Sequence, residues 1–135
     1  MREELKGPKV ENVAVAVVMD EIEGEKEFCV YLLNLRNDIM EGIIISSTGY
    51  GENTQTGGKI KTSTLRHSLE VLLPNEVAKI EPIMPDLFGL TNEYWVSFWV
   101  EETMYDKRFI FPVESISEKK MKYLKHFNKL GVIVK

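Results

Sequence analysis

The chain has 135 residues, of which 44% are hydrophobic and 28% are charged, and this ordinary globular composition excludes a disordered chain. It contains no apolar run of about 18 residues. The charged first nine residues are not followed by the apolar h-region of a signal peptide, so we expect neither a membrane span nor a signal peptide. Cys29 is the only cysteine, which excludes an internal disulfide and a cysteine-rich metal site. These features favour a cytoplasmic protein.

The formal charge of −4 is unevenly distributed along the chain. Residues 118–135 contain six lysines and one acid, which gives +5, whereas residues 1–117 contain eleven bases and twenty acids, which gives −9. A phosphate backbone is recognised by clustered bases, so the acidic body disfavours broad binding to nucleic acid. The basic end allows local contact with an anionic partner, although a solvated helix face is the simpler interpretation.

The chain from residue 10 onward has the pattern of short strands separated by turns. The valine-rich segment 13–19 is apolar on both faces and predicts a central strand. A charged turn centred on Gly24 leads back into a second apolar segment, so residues 12–36 predict a hairpin. Residues 42–47 predict a third strand, because they are again rich in β-branched side chains.

A polar loop and an unusual extended segment follow the third strand. Four glycines between residues 48 and 58 predict a mobile loop. Residues 59–68 are polar on both faces, which is typical of an edge strand, a protruding arm or a binding surface. The leucine spacing over residues 64–73 fits a helix and a strand equally well, and we choose a strand. Residues 77–81 predict another strand.

The last third of the chain predicts a second hairpin and then a helix. Residues 94–100 alternate as a half-buried strand does, and residues 107–113 return after a turn. Ser115 and Glu118 have the spacing of a capping box, and apolar residues at intervals of three follow them. This pattern predicts a helix over residues 115–131 that ends at a glycine, with a possible short strand at 132–134.

We therefore expect a single domain over residues 1–135 that is mainly β. Residues 1–9 are expected to be flexible. Residues 10–114 are expected to form an antiparallel barrel or sandwich of about six to eight short strands, which the C-terminal helix closes at one end. The alternative is an α+β fold with a second helix near residues 64–73.

The glycine-rich segment matches neither phosphate-binding motif that it suggests. A P-loop needs Ser or Thr after its lysine, but Lys59 is followed by Ile60. A dinucleotide fingerprint that starts at Gly49 needs a third glycine where Thr54 stands. Two histidines and one cysteine, far apart in the sequence, fit no zinc spacing. We expect no cofactor and no metal site.

The aromatic residues of segment 94–100 are assigned to the core. A base-stacking platform needs exposed aromatics on a basic face, and no Lys or Arg lies between Leu87 and Glu102. If one face of this strand is exposed, the sequence favours an oligomer interface over a nucleic-acid surface.

Five short segments between Leu32 and Phe111 have a distinctive sequence, namely Glu41-Gly42, Ser47–Gly51, Lys61–His67, Ala78–Ile83 and Asn92–Phe98. Through these segments the chain resembles a small uncharacterised bacterial protein family. Some members of this family carry a label that names a phenylalanyl-tRNA synthetase subunit, but this chain is far shorter than such a catalytic domain and has none of its ATP-binding arginine motifs. The resemblance implies a stand-alone bacterial domain and transfers no catalytic residue.

The leading functional hypothesis is a non-enzymatic binding or protein-interaction module that works through the glycine-rich loop and the polar arm over residues 48–68. Its partner would be a protein or a small anionic ligand, and a homo-oligomer is also compatible with the sequence. The candidate surface consists of Tyr50, Lys59, Lys61, Thr64, Arg66 and His67.

Two other classes of function are kept open. The first is a small RNA-binding β-barrel that uses the polar arm together with a basic helix face. The second is an enzyme, which would require His67 to lie in a pocket near Asp86, Glu81 or Cys29. The basic helix face consists of Lys119, Lys120, Lys122, Lys125 and Lys129.

Overall fold

The computed structural model describes residues 8–53 and 55–135, which form ten strands and two single-turn 3-10 segments at Pro85–Leu87 and Glu118–Lys120. Most of the predicted flexible segment 1–9 lies outside the described residues. The strands are β1 (Val13–Ile22), β2 (Glu25–Asn34), β3 (Met40–Glu52), β4 (Lys59–Lys61), β5 (Leu65–Leu72), β6 (Val77–Pro82), β7 (Thr91–Val100), β8 (Thr103–Phe111), β9 (Lys122–Leu124) and β10 (Lys129–Val134).

The strands form two antiparallel sheets, so the expectation of a mainly β fold is confirmed. The first sheet has the order β6-β2-β1-β10-β9. In the second sheet, β3 pairs with β7 on one side, and β7 pairs with β8. The other side of β3 pairs with β5 through residues 40–47 and with β4 through residues 50–52. The described strands do not close into a barrel, so the predicted barrel is wrong, and there are ten strands rather than six to eight.

The core lies between the two sheets and is centred on β1, which is a central strand as predicted. Val13, Val15 and Val17 of β1 pack in the main core with residues of the second sheet such as Ile45 and Phe98. Alternate residues of β1 form a second cluster on the opposite face of the first sheet. Both faces of β1 are therefore buried, which explains its continuous apolar sequence.

The predicted helix over residues 115–131 is wrong, because this segment forms a 3-10 turn, β9 and the first half of β10. β10 pairs with β1 from Val15 to Val18, and this pairing satisfies backbone groups of β1 that would otherwise be unpaired. Gly131 lies where an added Cβ would overlap the Val17 carbonyl oxygen, so its role is close strand approach rather than helix termination. Asn128, with φ 55°, forms the turn into β10.

The strands of the second sheet decide two further predictions, the loop from residue 48 and the possible helix near residues 64–73. The loop expected from residue 48 begins only after Glu52, because β3 continues through two of the four glycines. The segment 65–72 is a strand, so the alternative with a helix near 64–73 is wrong. Within the described residues no helix is long and apolar enough to cross a membrane.

The assignment of the tryptophans to the core is also wrong. Tyr94, Val96 and Phe98 of β7 are buried, whereas Trp95 and Trp99 are 42% and 43% exposed on the outer side of the second sheet. Strand alternation placed these side chains correctly on opposite faces. The error was to expect both faces to be covered.

Candidate functional site

Glu81 of β6 is the centre of a polar cluster between the two sheets. Its Oε1 accepts a hydrogen bond from the Ser47 hydroxyl at 2.9 Å and lies 2.7 Å from His67 Nε2. Its Oε2 accepts a hydrogen bond from the Tyr94 hydroxyl at 3.2 Å. Ser47, His67 and Tyr94 belong to three neighbouring strands of the second sheet, whereas Glu81 belongs to the first. One carboxylate therefore joins four strands.

The burial of this cluster makes its hydrogen bonds strong. The side chain of Glu81 is 12% exposed and that of His67 is 33% exposed, while Ser47 and Tyr94 are buried. Burial and the neighbouring Glu81 carboxylate raise the pKa of the Tyr94 phenol far above its usual value, so this hydroxyl stays protonated and donates. A hydrogen bond to a charged acceptor in a low-dielectric site is stronger than one between neutral groups.

A pocket of ≈ 220 Å³ opens beside Glu81. Hydroxyl-bearing side chains of β3 and of the break between β4 and β5 form much of its wall, and Leu65 and Leu87 add apolar surface. Thr62 accepts a hydrogen bond from the Gly49 amide at 2.8 Å, which fixes this part of the wall. The pocket is lined by Ser47, Thr48, Gly49, Thr62, Ser63, Leu65, Glu81, Leu87, Asn92 and Tyr94.

The cluster does not have the order of a catalytic triad. In a triad the base lies between the nucleophile and the carboxylate, so that it takes the proton of the hydroxyl. Here the carboxylate of Glu81 lies between Ser47 and His67, and the Ser47 hydroxyl donates to Glu81. The arrangement holds the carboxylate in place with three partners, and it does not activate Ser47 through His67.

Three of the predicted site residues lie together at a different pocket. Tyr50 pairs with Lys61 across β3 and β4, and Lys59 pairs with Glu52. These four side chains line a pocket of ≈ 440 Å³ at the end of the second sheet. This pocket and the Glu81 pocket have no lining residue in common.

The other three predicted site residues are separated from one another. Thr64 Oγ1 lies 3.0 Å from Thr48 Oγ1, at the edge of the Glu81 pocket. Arg66 is exposed and pairs with Ser46. His67, the next residue, points to the opposite side and contacts Glu81. The polar arm is therefore divided between β4 and β5, and its residues belong to more than one surface.

The five lysines predicted to share a helix face lie on no helix. All five are exposed, but they are divided among a 3-10 turn, β9, the following turn and β10. Lys129 Nζ forms an ion pair with Asp20 Oδ2 at 2.9 Å, and Lys120 Nζ donates to the Glu114 carbonyl. Lys119 and Lys120 line a separate pocket of ≈ 620 Å³, which shares no residue with the Glu81 cluster. The basic helix face is thus a wrong prediction.

Ser47, Glu81 and Tyr94 were not among the site residues predicted from the sequence. Ser47 continues the inward row that contains Ile43 and Ile45, so a polar residue in an apolar alternation was the available signal. Glu81 was considered only as one of three partners for His67. Nothing in the sequence identified the Tyr94 hydroxyl as a donor to the same carboxylate.

Comparisons with protein families, with curated proteins and with solved structures find no match to this chain. The site must therefore be interpreted from its own geometry.

Proposed function

We propose that this protein is a non-enzymatic binding module whose ligand occupies the pocket beside Glu81. The observation that supports it is a nearly buried carboxylate held at a pocket wall by three donors. A carboxylate has two oxygens with about four acceptor positions in total. Ser47, His67 and Tyr94 occupy three, which leaves one acceptor position on Oε2 for a ligand.

The free acceptor position favours a ligand that carries an N–H or O–H donor, such as an amine, an amide or a polyol. The hydroxyl groups of Thr48 and Ser63 on the same wall suit the other polar atoms of such a molecule. At about 30 Å³ for each water of liquid volume, the pocket holds roughly seven waters or a molecule with a similar number of heavy atoms.

This ligand chemistry differs from the anionic ligand expected from the bases of the polar arm. A carboxylate repels an anion, and the two lysines of the arm line the other pocket. The proposed pocket overlaps the surface expected from the sequence, because residues 48, 49, 62, 63 and 65 line it.

The proposal is tested by following backbone amide resonances of the full chain during titration with ethanolamine, a small amine with a hydroxyl group. We expect saturable shifts at Ser47–Gly49 and at Thr62–Ser63. Glu81→Gln should remove them, because the amide offers a weaker, neutral acceptor. Glu70→Gln, a matched change at an exposed position of β5, should leave them intact.

Inorganic phosphate serves as the anionic probe in a parallel titration. Absence of shifts at these five amides with millimolar ethanolamine would contradict the proposed ligand class. Shifts with phosphate that persist in Glu81→Gln would contradict the role of the carboxylate and would support the anionic ligand instead.

A further inference from the structure

The side of the second sheet that faces away from the core carries an apolar patch. Ile44, Trp95, Trp99 and Met104 are between 42% and 47% exposed there, and they come from three adjacent strands. This outer face is defined by three rows of paired residues. The rows are Arg66–Ser46–Trp95–Arg108, Ser68–Ile44–Ser97–Asp106 and Val71–Glu41–Trp99–Met104.

The charges of the outer face are separated along the strands. Arg66 and Arg108 lie in the first row, on either side of Trp95. The guanidinium of Arg108 lies 4.2 Å from the centre of the Trp95 ring, so the base and the aromatic ring form one cation–π unit. Glu41 lies in the third row, beside Trp99. Within these three rows one end is therefore basic and the other carries an acid, and Glu93 lies on the same side in the next row beyond the arginines.

We propose that the outer face is the interface of a homodimer. A two-fold axis in the plane of the interface, perpendicular to the strands and through the Ile44–Ser97 row, exchanges the first and third rows. It brings Trp95 of each copy opposite Trp99 of the other. It also brings Arg66 near Glu41 of the second copy, and an interface of this symmetry contains each such contact twice.

The alternative axis, parallel to the strands, is disfavoured by charge. It would bring Arg66 opposite Arg108 of the other copy, and both are guanidinium groups. Like charges that face each other across an interface are costly, so the pattern selects the perpendicular axis. Asp106 then faces its own symmetry mate, but it lies at the rim on β8, where water and salt screen the repulsion.

The area of the outer face suits a reversible dimer. Four strands about 4.8 Å apart and about six residues of about 3.4 Å each, the span of the three rows, cover roughly 400 Å² before side-chain relief is added. A standard interface buries about 800 Å² on each partner, so this face lies at the weak end of stable interfaces. The exposed parts of the four apolar side chains, roughly 400 Å² together, are within the range that marks interaction sites.

Nucleic acid is the less suitable occupant of this face. The face presents Arg66 and Arg108, but Glu41 and Asp106 cancel their charge within the same three rows. A phosphate backbone requires an excess of bases. Arg108 also covers the Trp95 ring on which a base would stack.

The test is sedimentation of the full chain over roughly 1–500 µM, a range that brackets a weak dimer. The wild type should change from monomer toward dimer as its concentration rises. Ile44→Glu should weaken the dimer at least about tenfold, because Ile44 lies on the row through which the axis passes and the two new glutamates would face each other at the centre of the interface. Met84→Glu is the control, since Met84 is 65% exposed and lies outside the face.

A charge exchange tests the orientation of the two copies. Arg66→Glu should weaken the dimer about fivefold or more, and the double variant Arg66→Glu, Glu41→Arg should restore it to within about threefold. Within one copy Arg66 pairs with Ser46, which is five positions from Glu41 along β3, so the two charges are separated. Restoration of the dimer by the double variant therefore reports a contact between copies. Asp106→Asn should strengthen the dimer.

Three results would overturn the proposal. They are a wild-type monomer at every concentration, a dimer that survives Ile44→Glu, and a monomer that binds oligouridine with an affinity that falls steeply with salt. The last result would assign the face to single-stranded nucleic acid. The Ile44→Glu variant should still bind ethanolamine, because the Glu81 pocket lies on the other side of the second sheet. Failure of the dimer and failure of the proposed ligand site are therefore distinguishable.

Discussion

Glu81 Oε1 lies 2.7 Å from His67 Nε2, although the two residues belong to edge strands of different sheets. The strands β5 and β6 are joined by a short turn and run beside each other without pairing their backbones. The contact between the two sheets at this edge therefore depends on side chains. Glu81 is the common acceptor for three of them.

Replacement of Glu81 by alanine should lower the free energy of unfolding by about 2–4 kcal/mol. The Ser47 and Tyr94 hydroxyls are buried and would lose their acceptor, and each unsatisfied buried group costs about 1–3 kcal/mol. Urea denaturation monitored by circular dichroism measures the change. The control, Glu70→Ala, alters an exposed carboxylate on β5 and should cost less than about 0.5 kcal/mol.

A double-mutant cycle separates the cluster from a simple loss of packing. Tyr94→Phe alone should cost about 1 kcal/mol, because it removes one hydrogen bond and leaves Glu81 two other partners. In the Glu81→Ala background the same change should cost less, since the hydroxyl is already unsatisfied. Equal costs in the two backgrounds would show that the two groups do not interact.

Gly131→Ala should destabilise the protein by at least about 1–3 kcal/mol, the usual cost of overpacking. An added Cβ would overlap the Val17 carbonyl oxygen and lie 2.7 Å from Leu124 Cδ1, so β10 would have to move away from β1. Gly89→Ala is the matched control, because nothing lies within 4 Å of its added Cβ. Equal thermal unfolding midpoints for the two variants would contradict this account of β10.

Local patterns predicted the two hairpins because strand alternation and turn residues lie close together in the sequence. Glu23 and Gly24 both have positive φ, as a two-residue hairpin turn requires, and Gly24 had marked this turn. The helix over residues 115–131 was predicted from apolar residues at every third position. That spacing also occurs in segments that are not helical, so it does not identify a helix by itself. Met121 lies in the main core, whereas Leu124 and Phe127 pack on the other face of the first sheet.

The candidate site could be predicted only in part for a related reason. His67 was identified from its polar surroundings in the sequence. The other members of the cluster, Glu81, Ser47 and Tyr94, lie 14 to 27 positions from His67 along the chain. They come together only through strand pairing and sheet packing. The exposure of Trp95 likewise depends on the absence of a third layer over the second sheet in the described structure, which strand alternation does not reveal.

Asp38→Asn should lower the free energy of unfolding by about 0.5–1 kcal/mol at pH 7, in the range of a well-oriented exposed ion pair. Arg36 Nε and Nη2 lie 2.7 Å and 3.2 Å from the two carboxylate oxygens of Asp38. Arg36 also stacks over Tyr105, with 5.0 Å from its guanidinium carbon to the ring centre. The stacked ring helps to hold the guanidinium in the orientation that the carboxylate needs.

This contribution should depend on pH. The hydrogen bond from Arg36 holds the pKa of Asp38 below its usual value. A carboxyl group with a lowered pKa contributes stability that is fully present above its unfolded pKa of about 3.9 and is lost as the pH falls through the folded pKa. The difference between wild type and Asp38→Asn should therefore disappear near pH 2. A difference that stays constant from pH 7 to pH 2 would exclude the ion pair as its cause.

Asn34→Asp should be more destabilising than Asn34→Ala at pH 7, although aspartate has nearly the same shape as asparagine. The buried Asn34 amide donates to the Asp38 and Leu72 carbonyls at 3.0 Å each, and its oxygen accepts from the Arg36 amide at 2.9 Å. A carboxylate would turn both donations into repulsions inside the protein, with a cost of about 3–5 kcal/mol.

The Asn34→Asp penalty should become smaller as the pH falls toward about 4, because a protonated carboxyl group can donate one of the two lost hydrogen bonds. Asn37→Asp, at an exposed position of the same turn, is the control and should change stability by less than about 0.5 kcal/mol at either pH. Urea denaturation of the three variants at pH 7 and at pH 4 measures the differences. If Asn34→Asp were as stable as the wild type at pH 7, the amide could not be the donor that joins the end of β2 to the end of β5.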